Sequence, residues 1–142
     1  MKDVINKTQL LNHPIEKVWD AISKGEELSN WFIPTDFKAE VGYQYTFRSD
    51  GKEGCEPIIG VVQEANPYTL VYTWQVKGTE VETTVRWVLE DVEGKTKLHL
   101  EHSGISEYAG DTAIKMYTDF NGGWANCISL LGDYLIKEVH AE

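Results

Sequence analysis

The side chain with the widest chemical range in this sequence is His102, which follows Leu98 and Leu100 at alternate positions. Because successive side chains of a β-strand point to opposite faces, a strand here would direct His102 inward with the two leucines. An imidazole in that place could hydrogen-bond a ligand hydroxyl or carbonyl group, or act as an acid or base on a substrate. It could equally be a core histidine that is bonded to a backbone group or a tyrosine hydroxyl. The sequence leaves both roles open.

The other reactive side chains do not form a catalytic set. Cys127 lies on the apolar stripe of a predicted helix, where a thiol behaves as a small hydrophobe. Acidic neighbours of Cys55 disfavour the thiolate that a nucleophile requires. His99 is three residues from His102, so in a strand the two rings point to opposite faces and do not share a metal ion. We predict no catalytic residue, no metal and no cofactor, and the sequence leaves enzyme activity undecided.

Aromatic side chains are abundant, with five Trp and seven Tyr in 142 residues. Wide aromatic side chains on the concave face of a bent sheet rarely close it completely, and pockets for small ligands are lined mainly by such groups. Each ring taken singly could instead fill the core. The predicted ligand-binding residues are Trp31, Phe32, Tyr45, Phe47, Trp74, Trp87, His102, Trp124 and Ile128.

Hydrophobic periodicity predicts the elements that would position these residues. A first strand within residues 1–11 precedes a helix over 14–23 and a second short helix from Glu26 that ends at Pro34. Five more strands are predicted at 43–48, 57–64, 70–76, 81–89 and around 98–102. Residues 106–120 are predicted to be irregular or partly helical, and an amphipathic helix is predicted from about Asn121.

This order predicts one α+β domain over residues 1–142. A curved six-stranded antiparallel sheet would grip the long C-terminal helix, with the two short helices between strands 1 and 2. Gly122-Gly123 is predicted to let the start of the long helix approach the sheet closely.

Short sequence motifs in these elements resemble those of a known superfamily. Residues 12–19 resemble its "P-x-E-x-V-W" entry and residues 27–32 its "L-x-x-W-F" second helix, while 70–74, 83–87 and 98–104 are similar to its successive strands. The ordered set resembles the START-like helix-grip (SRPBCC) superfamily. Gly122-Gly123-Trp124 resembles the branch related to the C-terminal domain of the heat-shock-protein-90 ATPase activator homologue. The resemblance implies a hydrophobic cavity between the long helix and the concave sheet.

The charge balance limits the partners. With 23 acidic and 13 basic residues the formal net charge is -10, so phosphate backbones and anionic lipid surfaces would repel the protein. We therefore expect neither nucleic-acid nor membrane binding. The sequence shows no secretory signal and no apolar run near 18 residues, which favours a cytoplasmic location, and a monomer is favoured.

Three functions remain open, because the superfamily that the sequence resembles includes lipid carriers, aromatic-polyketide cyclases and co-chaperones. The leading hypothesis is binding of a small, mostly apolar molecule, lipid-like or similar to an aromatic polyketide or flavonoid, in the cavity. The first alternative is a co-chaperone-like module of the stress response that contacts a chaperone and stimulates its ATPase. The second is a cavity enzyme of the cyclase or hydrolase type, with His102 or a tyrosine as acid or base.

Overall fold

The structure, a computed structural model, describes residues 4–33, 35–47, 57–108 and 110–140. The described strands are β1 (Ile5–Leu11), β2 (Gln44–Phe47), β3 (Ile58–Asn66), β4 (Thr69–Val76), β5 (Glu82–Val92) and β6 (Lys95–Ser103). The described α-helices are α1 (Ile15–Ser23), α2 (Gly25–Trp31) and α3 (Gly110–His140). The predicted α+β helix-grip fold is confirmed.

The six strands form one curved antiparallel sheet in the order β1-β6-β5-β4-β3-β2. From β2 onward each strand pairs with the next one in sequence, as expected for hairpins. β1 and β2 lie at opposite edges of the sheet, so the connection through α1 and α2 crosses the width of the sheet. This connection carries Trp31 and Phe32 towards the aromatic side chains of the central strands.

The core lies between the concave face of the sheet and one stripe of α3. Alternate residues of the central strands are buried, as the period-2 pattern predicts; they are Leu70, Tyr72 and Trp74 on β4 and Thr83, Val85, Trp87 and Leu89 on β5. The buried stripe of α3 repeats at helical spacing; it consists of Trp124, Cys127, Leu131 and Leu135. The stripe predicted for the long helix is therefore present.

The ladder between β3 and β4 is irregular near Gly60, and the register shifts between Val62 and Glu64. The Val61 N–H donates to the hydroxyl of Thr73 at 2.8 Å, and the Tyr45 hydroxyl donates to the Thr73 carbonyl oxygen. A Cβ on Gly60 would lie 2.1 Å from that carbonyl oxygen. Glycine is therefore required at position 60, because any larger residue would collide with the backbone of β4.

The long helix differs from its prediction at its N-terminal half. Residues 106–120 were predicted to be irregular or partly helical, but α3 begins at Gly110, after a 3₁₀ turn at Ile105–Glu107. The predicted start near Asn121 is therefore wrong. Between 112 and 120 the fully buried side chain is Ala113, while Ile114 is 57% exposed, so the apolar period there is weak.

Gly122 and Gly123 lie inside α3 and face outward. Apart from the neighbouring residues and backbone of α3 itself, no atom of the described residues lies within 4 Å of the position that a Cβ would occupy on either residue. The predicted close approach to the sheet is therefore wrong for both. Among the described helices, none combines the length and the apolar character that crossing a membrane requires.

Candidate ligand site between the long helix and the sheet

An aromatic cluster joins α2, the sheet and α3. The ring of Trp124 lies 5.1 Å from Trp74 and 5.8 Å from Trp87, between ring centroids, in tilted and edge-to-face geometry. Phe32 stacks on Trp124 at 6.1 Å and meets Phe47 edge-to-face at 5.3 Å. These contacts join six of the nine predicted ligand-binding residues, with His102 included through its own contact to Trp124 at 5.8 Å.

His102 is fully buried and is held by a chain of hydrogen bonds. The Trp124 indole N–H donates to His102 Nδ1 at 2.8 Å, so Nδ1 carries no proton. The remaining ring nitrogen, Nε2, then carries the proton and donates to Thr83 Oγ1 at 2.6 Å. Thr83 Oγ1 in turn donates to the carbonyl oxygen of Trp74 at 2.9 Å. The chain links α3 to β6, β5 and β4.

Burial lowers the pKa of His102 to about 3, because the charged imidazolium would lose its hydration. The ring is therefore neutral near pH 7, and both of its nitrogens are engaged within the protein. This is the arrangement of a satisfied core histidine, although its partners are a threonine and a tryptophan rather than a backbone group or a tyrosine. Its role as a ligand anchor stays a prediction.

The remaining predicted residues extend this cluster. Trp31 stacks on Phe32 at 5.2 Å, and its indole N–H donates to the Ala21 carbonyl oxygen at 2.8 Å. Tyr45 packs against Phe47 at 4.8 Å. Phe32 and Ile128 are half-buried, whereas the other seven predicted residues are buried. The cluster therefore approaches the surface near Phe32 and Ile128.

The prediction missed four residues that belong to the same interior. Phe120 stacks on His102 at 4.8 Å, and it precedes Trp124 by four residues, the spacing of side chains on one helix face. Phe37 stacks on Phe47 at 6.0 Å. The Tyr72 hydroxyl accepts the indole N–H of Trp87, and Thr83 bonds to His102. Helical spacing could have identified Phe120, and strand alternation could have identified Tyr72 and Thr83.

Two of the clefts that described residues line lie on the outer surfaces. A polar groove of about 400 Å³ is formed by α1, α2 and Tyr134 of α3. Another of about 410 Å³ lies over the irregular part of the β3–β4 ladder, and Tyr45 is the predicted ligand residue that borders it. The rings of the aromatic cluster are in contact with one another, so a ligand that enters between them must displace side chains.

Burial also controls the chemistry of Cys127, the described cysteine. Burial raises the pKa of the Cys127 thiol, so the thiolate is suppressed. Cys55 lies outside the described residues. Within the residues that the structure describes, no three His, Cys, Asp or Glu side chains come together in a way that could hold a metal ion.

Comparison with known proteins gives a family match. A model of the family "Activator of Hsp90 ATPase homolog 1-like protein" matches residues 12–135. A sequence search of curated proteins finds no match.

Solved structures share the fold at low sequence identity. MLL2253 from Mesorhizobium loti superposes with a TM-score of 0.82 at 22% identity, covering 94% of this chain and 97% of its own. DynU16, a protein in the dynemicin biosynthetic locus, gives 0.79 at 19% identity and covers 97% of this chain, which spans 49% of DynU16. PFC0360w, an HSP90 activator from Plasmodium falciparum, gives 0.70 at 19% identity, covering 92% of this chain and 96% of its own.

Proposed function

We propose a function from one premise: this chain belongs to the family of Activator of Hsp90 ATPase homolog 1-like proteins. Within that family, its function would be the binding of a small, mostly apolar molecule between α3 and the concave face of the sheet. The ligand would be lipid-like or a flat aromatic compound. Membership of a family with this fold does not determine the function of a protein, so the proposal depends on the site itself.

The observation that carries the proposal is the continuity of the aromatic cluster from the interior to the surface. Trp74, Trp87 and Trp124 lie at its centre, with exposed fractions of 7%, 2% and 3%. Phe32 and Ile128 are half-buried at its edge. An apolar ligand could replace the contacts between these rings with equivalent contacts of its own, because edge-to-face and stacked geometries are open to any flat π-system.

Three properties of the site support an apolar and uncharged ligand. Large aromatic groups line it, as in most sites for small molecules. The polar chain through His102 is closed within the protein. The net charge of -10 disfavours the approach of an anion.

The experiment is a thermal-stability screen of lipids and flat aromatic compounds. A ligand present at about one hundred times its Kd should add about 2.7 kcal/mol to the free energy of unfolding and raise Tm by several degrees. Ile128→Trp should fill the edge of the site and abolish the shift. Leu130→Trp, on the outer side of the same helix where Leu130 is 39% exposed, should retain it. A screen in which no compound shifts Tm or perturbs an amide signal would contradict the proposal.

A co-chaperone role is the second candidate, because the family name and PFC0360w both refer to activation of the HSP90 ATPase. This role would use an outer surface and would not need the aromatic cluster. It predicts stimulation of a chaperone ATPase that Ile128→Trp leaves unchanged. The cavity-enzyme alternative has less support, since both nitrogens of His102 are already bonded within the protein.

A further inference from the structure

The tryptophans of the aromatic cluster differ in what their indole N–H groups meet. Trp31 donates to the Ala21 carbonyl oxygen, Trp87 to the Tyr72 hydroxyl and Trp124 to His102 Nδ1. The Nε1 atom of Trp74 is buried and makes no hydrogen bond to any residue that the structure describes. A buried donor without an acceptor is rare in native proteins and is unfavourable until it is paired.

The neighbours of Trp74 explain why its N–H is unpaired. Its ring contacts Phe47 at 5.8 Å, Trp124 at 5.1 Å and Phe120 at 6.3 Å, and none of these side chains carries an acceptor. The ring of His102 lies 5.7 Å away, but its single acceptor nitrogen is already bonded to Trp124. Among the rings that contact Trp74 in the described part of the chain, the acceptor nitrogen of His102 is therefore already occupied, and the Trp74 N–H donor lies in an aromatic surrounding.

The position of Trp74 is fixed by the rest of the fold. Its carbonyl oxygen accepts the Thr83 hydroxyl, and β4 is paired on both sides in the sheet. The indole is therefore presented from a rigid strand, which is the preferred support for an anchor that orients a ligand.

We propose that the indole N–H of Trp74 is the polar anchor of the ligand site, and that the ligand is a flat, uncharged molecule with a carbonyl or similar neutral oxygen acceptor. This inference rests on the proposed function and narrows its ligand class. An ionised acceptor is disfavoured because burying a charge among aromatic rings is far more costly than burying a carbonyl group.

The half-buried ring of Phe120 is in contact with Trp74 and is the ring that a ligand at this anchor could displace. Phe120 also stacks on His102, so a flat ligand could take its place against the imidazole while its oxygen reaches Trp74 Nε1. Displacement of one half-buried ring leaves the hydrogen-bond chain through His102 unbroken.

The test compares 9-fluorenone with fluorene, two flat compounds of nearly the same size that differ in the carbonyl group. Binding is followed by the indole N–H signals of protein labelled with ¹⁵N, assigned by single Trp→Phe substitutions. Fluorenone should move the Trp74 indole proton downfield and fluorene should not. Fluorenone should also bind about tenfold more tightly, the expected effect of one neutral hydrogen bond.

Two variants complete the test. Trp74→Phe should remove the preference for fluorenone, so that the two compounds bind the variant with equal affinity. Trp19→Phe should change neither affinity, since Trp19 packs against Tyr68 outside the cluster. If Trp74→Phe fails to fold, the wild-type indole shifts still decide the question.

The outcomes separate this inference from the proposed function. Equal binding of the two compounds with no selective shift of the Trp74 signal would overturn the anchor and leave the proposed function standing. Failure of both compounds to bind, while lipids or other compounds shift Tm, would also overturn the anchor and its ligand class. Failure of every compound would overturn both.

Discussion

At His102 a single buried ring ties the long helix to the sheet. Its Nδ1 atom accepts from Trp124 on α3, and its Nε2 atom meets Thr83 on β5. Each bond is made away from water, so the loss of one partner would leave the other partner unsatisfied. The neutral imidazole is therefore part of the fold whether or not a ligand also contacts it.

The low pKa of His102 predicts a pH-dependent stability. Burial lowers this pKa from 6.5 to about 3 in the folded protein. Above about pH 6.5 the ring is neutral in the folded and the unfolded protein, so its titration does not change the free energy of unfolding. As the pH falls below that value the unfolded chain takes up a proton first, so about 2 kcal/mol of stability should be lost between about pH 7 and about pH 5.

Urea unfolding of His102→Phe measures this contribution. The variant should be less stable by about 1–3 kcal/mol near pH 7, because Trp124 loses its acceptor, and its deficit should shrink as the pH falls. Leu130→Phe is the control, since Leu130 lies on the outer side of α3 at 39% exposure and the change alters no titratable group, so it should keep the wild-type pH dependence. Parallel curves for wild type and His102→Phe would show that the buried ring is not the titrating group.

The inward direction of His102 could be predicted from the alternation with Leu98 and Leu100, since all three are buried. Its partners could not be predicted. The pairing of Val85 with His102 across β5 and β6 fixes the register that brings Thr83 near, and the placement of α3 brings Trp124. Such contacts depend on strand register and helix rotation, which local sequence patterns leave undetermined.

At the scale of elements, the strands were predicted more accurately than the long helix. Strand alternation is strong in β4 and β5, where one face is buried against α3. The first half of α3 carries Ile114 outward, and two glycines interrupt its middle, so its helical period is hard to recognise. Tertiary packing overrides a weak local preference there.

The two glycines of α3 predict a gain in stability on substitution. A Cβ on Gly122 or Gly123 would meet no described atom within 4 Å outside the adjoining part of α3. Each change to Ala should therefore raise the free energy of unfolding by about 0.5–1 kcal/mol, since Gly is a poor residue in a helix interior. Gly60→Ala is the contrasting variant and should destabilise by about 1–3 kcal/mol or more, because its Cβ would collide with Thr73.

Thermal and urea unfolding of the three variants distinguish an outward placement of Gly122 and Gly123 from a close approach of α3 to the sheet. A close approach of α3 to the sheet at positions 122–123 would make both alanine variants less stable than wild type. That result would contradict the observed placement of α3.

For the whole molecule, the buried stripe of α3 determines how the protein opens. Cys127 lies in this stripe at 2% exposure, and burial raises the pKa of its thiol. The thiolate is the reactive form, so a thiol reagent should reach Cys127 only when α3 leaves the sheet. Departure of α3 would expose Trp74 and Trp87, which pack against Trp124. The loss of that apolar contact should make the departure of α3 part of global unfolding.

Labelling of Cys127 by a disulfide reagent, in a Cys55→Ser background, tests this coupling. The rate should be at least about a thousandfold slower than in the urea-unfolded chain, in line with a domain stability of at least about 5 kcal/mol. The opening free energy from labelling should equal the free energy of unfolding from urea. Leu130→Cys, on the exposed side of α3, should react at nearly the unfolded rate because its position is 39% exposed in the folded protein. A smaller opening free energy at Cys127, insensitive to low urea concentrations, would instead mean that α3 detaches while the sheet stays folded. The same result would define a route by which a ligand reaches the aromatic cluster.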